Sequence, residues 1–422
     1  MVCGSLLHTS HDITVFEANN YIGGHTNTVD VDQGGEPRPV DTGFIVFNDR
    51  TYPNFMKLLG QLNVDTNPTS MSFSVRCDLT NLEYNGTSLN GVFAQRRNLL
   101  RPRFLRMLRD VLRFNSEAVA FIDSKDDTTT VGDYLKTNGY SSIFASHYLL
   151  PMGAAIWSCP TGTFEKFPVR FIIEFYHNHG LLSLGNRPQW YTIAGGSREY
   201  VKQLTRPFAD KIRLNCRVKS VQRLTAPNHV IVEHSDGNNQ FDEVIFACHS
   251  DQALRMLGCD STVTERDVLS QFPYGPNEAV LHTDTTLLPK RKLAWAAWNY
   301  HLSDAGERNA TLTYNMNILQ HIQSQHTYCV TLNETEQIDP SKVIRRFNYS
   351  HPIYTSTRAA SQARHPELIR QRGTSFCGAY WGNGFHEDGV NSALAVCRAY
   401  GQSLDGRIDA PVNLVLSSNG GV

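Results

Sequence analysis

The chain has 422 residues, with 39 Lys plus Arg against 40 Asp plus Glu and a formal net charge of −1. At about 150 residues per domain this length allows two or three domains, and 41% hydrophobic residues with 10% aromatics exclude a disordered or low-complexity chain. Balanced charge excludes the basic excess of a generic nucleic-acid binder, leaving a globular enzyme as the class to test.

Val2, Leu6 and Leu7 stand at helical spacing and feed DITVFEANN, where Ile13, Val15 and Phe16 make a short apolar run ending at Glu17. Helix, buried strand and an acid at the strand end form the second half of a dinucleotide-binding βαβ unit. In YIGGHTNTVDV, Gly23 and Gly24 permit positive φ or close backbone approach. VDTGFIVFN follows, and Phe55, Leu58, Leu59 and Leu62 predict a helix.

From 63 to 188 short strands and helices mix. Seven arginines fall between Arg96 and Arg113. On a helix after Pro102, Phe104, Leu105, Leu108 and Leu112 are expected on one face, with Arg103, Arg106, Arg109 and Arg113 toward the other. The ordinary reading is a solvated helix face; the sharper one is a peripheral membrane anchor whose arginines meet anionic lipid. Thr137 to Phe164 carries no Asp, Glu, Lys or Arg, but Pro151, Gly153, Pro160 and Gly162 interrupt it. It is too broken for a membrane span and reads as buried core lining a cavity.

From Gln189 the nucleotide-type pattern returns. WYTIAGGSREYVKQL is a glycine pair and a helix; CRVKSV and HVIVEHSDGNNQFDEVIF read as strands with a hairpin at SDGNN. LAWAAWNYH and FNYSHPIYT mark a second aromatic-rich stretch, and TSFCGAYWGNGFHEDGVNSALAV predicts a strand, a glycine-rich loop and a helix starting near Asp388 or Gly389. The layout is two interleaved modules: 1–62, 189–259 and 370–422 of nucleotide type, 63–188 and 260–369 as a second domain.

The nine cysteines run from Cys3 to Cys397 with no CxxC pair. This argues against a zinc site or a disulfide scaffold and suits a reducing compartment. With no basic, apolar leader, the cytoplasm is the expected location, with the inner membrane surface added if the arginine helix anchors there.

Each part of a flavin adenine dinucleotide asks for a different protein group. Glu17 can accept hydrogen bonds from ribose hydroxyls, and Gly23 and Gly24 let backbone N–H groups approach a pyrophosphate. The N-terminus of the helix after Gly389 can direct its dipole at a ring edge that gains negative charge on reduction.

In this order, ITVFEANNYIGGHTNTVDV, VDTGFIVFN, WYTIAGGSREYVKQL and FCGAYWGNGFHEDGVNSAL resemble the flavin amine oxidase and phytoene desaturase-like superfamily. They are closest in pattern to a bacterial branch of predicted FAD-binding oxidoreductases. The resemblance implies an α/β fold, an FAD-binding Rossmann-like domain of amine-oxidase type interleaved with an α+β substrate domain. It implies FAD as cofactor, with Glu17 at the ribose, Gly23 and Gly24 at the phosphates, and Thr42 and Gly43 near the isoalloxazine. Val218 would read the adenine, Gly378 is the C-terminal glycine, and Asp388, Gly389 and Val390 begin the helix beneath the flavin. Three positions depart from the pattern: His25 stands where many members have a phosphate-contacting arginine, Ala379 replaces an acid, and Asn277 and Glu278 occupy the stretch where amine oxidases often place a lysine.

The GxGxxG fingerprint normally lies ~20 residues before the ribose acid and would fall ahead of Met1. The expectation is weak flavin retention and a pair of exposed strand edges where the first strand belongs. No catalytic acid, base or nucleophile is read from the sequence, as suits a class in which the cofactor carries the chemistry. Trp295, Trp298, Tyr300 and Tyr380 are candidates for an apolar slot, and His351 and His386 for polar groups beside it. The leading reading is an FAD-dependent oxidoreductase acting by hydride transfer to the flavin on an apolar substrate, a small molecule or a lipid such as an unsaturated acyl chain, with no nucleic-acid partner. An amine oxidase and a non-catalytic remnant are the alternatives.

Overall fold

The computed structural model describes residues 1–407 apart from 33–34, 125, 158, 184, 186, 225–228, 303–310, 334 and 356; the part of the first module beyond 407 lies outside them. Short apolar runs form parallel pairs on the nucleotide side. Val15–Phe16 pairs with Ile212–Arg213, and Val244–Phe246 pairs with Thr374–Phe376. Parallel partners need a crossover connection, and here each crossover spans well over a hundred residues. This half of the molecule is therefore assembled from distant pieces of chain. Helix Val2–Leu7 lies against helix His386–Arg398 through Cys3, Leu7, Val396 and Cys397. Val218–Arg223, Val230–His234 and Gly237–Phe241 form an antiparallel sheet, with the SDGNN turn as the predicted hairpin.

The second half is built on a seven-stranded sheet. In spatial order its strands are Val343–Pro352, Tyr274–His282, Cys329–Leu332, Leu312–Asn315, Trp298–Leu302, Phe73–Cys77 and Leu82–Asn85. All neighbours are antiparallel except Trp298–Leu302 with Phe73–Cys77. One apolar cluster joins Val75, Leu82 and Tyr84 of this sheet to helices Pro102–Glu117, Leu150–Trp157 and Val169–Asn178. Gly153 sets one of these contacts: a Cβ there would lie 2.0 Å from Cζ of Phe164. Gly153→Ala is expected to cost about 1–3 kcal/mol, read as a lower denaturant midpoint; an unchanged midpoint would refute the contact.

Three sequence expectations are corrected. Thr66–Thr69, placed in the second module, hydrogen-bonds along Trp190–Ile193 of the first. The last helix starts at His386, ahead of Asp388, because the Asp388 carboxylate accepts the Phe385 N–H (2.8 Å) and closes the helix start on itself. In helix Pro102–Glu117 the buried stripe is Phe104, Met107 and Phe114, whereas Leu105 and Leu112 are exposed and Leu108 is half-buried. Burying Phe and Met removes more apolar area than burying two leucines, and this decides the rotation of the helix. No helix among the described residues is long and apolar enough to cross a membrane.

Candidate functional site

A cavity of about 2290 Å³ joins the two halves. The two parallel strand pairs are not hydrogen-bonded to each other among the described residues. Val15, Phe16, Val244, Ile245 and Phe246 of these two pairs line the cavity.

Glu17, Gly23, Gly24, His25, Gly43, Val218, Gly378, Gly389 and Val390 all line this one space. Thr42 and Asp388 do not. Thr42 Oγ1 hydrogen-bonds with Asn27 O (3.0 Å) and Tyr349 Oη (2.8 Å) and so ties two segments of the wall together, while Asp388 caps its own helix. Glu17 lies near Cys216, whose N–H donates to Glu17 O (2.8 Å). There Cys216, His234 and the exposed Asp236 each bring a donor atom to within 4.8 Å of the others. His234 Nδ1 faces Cys216 Sγ (3.3 Å) and accepts the Asp236 N–H (3.2 Å).

The glycine turn leaves room for a large anion. Gly23 (φ 133°) and Gly24 (φ 60°) take up backbone conformations that other residues rarely reach. A Cβ on Gly24 would meet nothing within 4 Å, and one on Gly389 only Ala379 N at 4.0 Å. Among the described residues the N–H groups of Gly24 and His25 donate to no protein group. Free N–H groups in such a turn form an anion-binding nest. Beneath them Gly43 crosses the same loop: Phe44 N–H donates to His25 O (2.7 Å), and a Cβ on Gly43 would sit 2.2 Å from that oxygen.

The sequence singled out His25, His351 and His386 separately; the fold gathers them with His249. The His25 ring lies 5.7 Å from His351, 6.1 Å from His249 and 4.9 Å from Tyr349, centroid to centroid, and His249 stacks on Tyr274 at 4.0 Å. Burial, reinforced by the neighbouring imidazoles, pushes His25 down to about 3, and burial with His249 pushes His351 down to about 4. The rings are therefore neutral near pH 7. Asn277 Nδ2 donates to His351 Nδ1 (2.8 Å), which leaves the proton on the other ring nitrogen. His25 Nε2 is buried with no hydrogen-bond partner, a cost that a ligand can relieve. His386 stacks on Phe44 at 3.8 Å, and its Nε2 meets Tyr200 Oη (2.8 Å), itself 3.0 Å from Thr26 Oγ1.

Away from this polar centre the wall is apolar. Met71, Phe73, Met152, Ile156, Trp157, Phe175, Trp190 and Trp298 line it. Trp157 is ringed by Phe164, Phe167, Phe171, Phe175 and Tyr354, with centroids 4.8–5.9 Å away. Among the slot candidates, Trp298 and Tyr380 line the cavity. Trp295 does not, its indole N–H donating to Pro289 O (2.7 Å), and Tyr300 is packed in the sheet core. Met152 to Trp157 fall inside the charge-free stretch read as cavity lining. His249, Tyr274 and Tyr349 were missed: each is an ordinary strand or helix-edge residue until the chain folds.

These features fit a flavin dinucleotide: a long cleft, an acid at one end, a glycine turn with free N–H groups, an orphaned buried nitrogen, and a C-terminal helix whose first turn brings Gly389 to the cavity wall. The family model of flavin-containing amine oxidoreductases matches residues 4–399. Among solved structures, the chain is similar to a CLA-producing fatty acid isomerase from P. acnes (TM-score 0.66, 14% identity, 94% of this chain and 95% of that one). It is also similar to putrescine oxidase bound to putrescine (0.62, 11%, 94% and 96%) and to cyclohexylamine oxidase from Brevibacterium oxydans (0.60, 12%, 94% and 96%). No curated protein matches the sequence.

Proposed function

Because the chain belongs to the family of flavin-containing amine oxidoreductases, we propose that this FAD-dependent oxidoreductase acts on an apolar substrate, an unsaturated acyl chain being the class. The flavin supplies the hydride acceptor for a substrate C–H bond. Glu17 would hold the ribose, the N–H groups of Gly24 and His25 the phosphates, and the first turn of helix His386–Arg398, which brings Gly389 to the cavity wall, the ring. The apolar wall excludes water and orients the chain by shape alone. The Asn277–His351 pair presents a neutral imidazole at the polar centre, where its remaining ring N–H can donate a hydrogen bond without placing a charge beside the substrate.

The observation that carries the substrate class is that wall. The residues lining it at 71–73, 152–157, 175–190, 298 and 314 include no Asp, Glu, Lys or Arg. The shared fold does not choose, since it is common to enzymes named for a fatty acid and for amines. An ammonium group would ask for a carboxylate, which this wall lacks; a polyunsaturated hydrocarbon chain asks only for apolar surface and aromatic rings. In an anaerobic assay with flavin-loaded protein, unsaturated fatty acids are expected to bleach the visible flavin band and primary or secondary amines are not. Bleaching by amines with hydrogen peroxide release in air, and none by fatty acids, would replace this reading with amine oxidation.

A further inference from the structure

The arginine-rich segment carries a surface that the catalytic reading leaves unused. Arg96–Leu100 is a short 3-10 turn leading into helix Pro102–Glu117. Leu100 is 87% exposed, and Leu99, Leu105 and Leu112 are exposed with it. At about 100° per residue, Leu105, Arg106, Arg109 and Leu112 share the arc opposite Phe104, Met107 and Phe114, and Arg103 flanks them in the first turn. A run of exposed leucines set among arginines is unlike the scattered single leucines of an ordinary surface.

The charges on this arc are uncompensated. Arg113 pairs with Glu117 (2.9 Å), Arg96 and Arg97 donate to the backbone carbonyls of Phe93 (3.1 Å) and Asn81 (2.7 Å), and Arg101 donates to Asn98 Oδ1 (3.2 Å). Arg103, Arg106 and Arg109 are exposed and form no ion pair among the described residues. The other acid of the helix, Asp110, is buried and taken by the N–H (3.0 Å) and hydroxyl of Ser141. Like charges three residues apart weaken a helix, so this arrangement costs stability until an anionic partner meets it. The inner face of the helix packs into the cluster containing Met152, Trp157 and Phe175, which also wall the cavity.

We propose that this face docks on the anionic surface of a lipid bilayer, with Arg103, Arg106 and Arg109 at the headgroups and Leu100 and Leu105 entering the interface. A nucleic acid would use the arginines but has no use for the exposed leucines, whereas a bilayer uses both. The inference is independent of the substrate class, because docking needs no turnover and can fail while the acyl reading stands.

The test is co-sedimentation of the full chain with vesicles of phosphatidylcholine alone and with about one third phosphatidylglycerol. Binding is expected to the mixed vesicles only and to weaken as salt is raised. Each arginine is expected to contribute about fivefold, so the Arg103→Glu, Arg106→Glu, Arg109→Glu variant should lose more than a hundredfold in partition. Leu100→Ser, at an exposed position outside the cavity wall, should lower binding while leaving the melting temperature and flavin content unchanged. No binding by the unmodified protein, equal binding by the triple-arginine variant, or binding to single-stranded RNA but not to vesicles would each overturn the proposal.

Discussion

Purified Gly43→Ala protein is expected to lose its flavin and about 1–3 kcal/mol of stability. A Cβ at 43 would stand 2.2 Å from His25 O and 3.1 Å from His25 C, so the obstacle is backbone, which cannot rotate away as a side chain can. Relief requires the loop at 23–26 to separate from the segment at 42–44. That breaks the Phe44–His25 bond (2.7 Å) and strains the neighbouring Thr42–Asn27 bond (2.9 Å). The same shift carries the free N–H groups of Gly24 and His25 away from the cleft, which is why cofactor and stability should fall together. Gly60→Ala is the control: it lies within helix Pro53–Gln61 with nothing within 4 Å of a Cβ, and should be neutral or stabilising by up to about 1 kcal/mol. Thermal unfolding and the flavin-to-protein absorbance ratio measure both effects. A Gly43→Ala protein as yellow and as stable as its parent would show that the two segments do not cross as described.

The affinity for FAD is expected to fall about tenfold per pH unit as pH rises toward the pKa that His25 takes up in the complex, and to level off above it. In the free protein His25 is held at about 3, by burial first and then by His351 and His249. A phosphate against its orphaned Nε2 favours the imidazolium and raises that pKa. Between the two values the complex binds one proton more than the free protein, so acid favours binding. Among the described residues the groups facing His25 include no fixed positive charge that could do the same work: His249, followed by Asp251, comes from the start of one helix, Tyr349, the Ser350 backbone and His351 from a strand, Tyr274 stacks behind His249, and His386 approaches from the C-terminal helix. The same ring acts with the opposite sign on the stability of the free protein. Its folded pKa lies below the unfolded value of about 6.5, so stability is lost as pH falls from there toward 3. Calorimetric titrations of FAD in two buffers of different ionisation enthalpy should report uptake of up to one proton. His25→Arg should bind with no uptake and a flat pH profile, and His25→Phe should bind weakly at every pH. Uptake unchanged in His25→Arg would place the proton elsewhere.

Much of the cleft was legible in the order of motifs. Glu17 after an apolar run, the glycine pair behind it, and the glycine-rich loop ahead of the last helix each carry a local signal, because strand ends and tight turns restrict residue type. These pieces converge on one cavity. What was not legible depends on contact between distant segments. Whether Leu105 or Phe104 turns inward is set by the area each can bury against the neighbouring helices. That Thr42 faces Tyr349, and not the cleft, follows from a strand more than three hundred residues away.

The sequence alone determined the strand-end acid, the glycine turn and the charge-free stretch, since these rest on periodicity and on backbone conformations open to few residues. Only the tertiary structure decided that four histidines from four segments share one polar centre. It alone decided that the apolar stretch of wall around Met152, Trp157 and Trp298 holds no charge, and that three arginines face solvent with no ion pair among the described residues. Burial, pairing and pKa are properties of surroundings, and a side chain acquires its surroundings when remote parts of the chain pack against it.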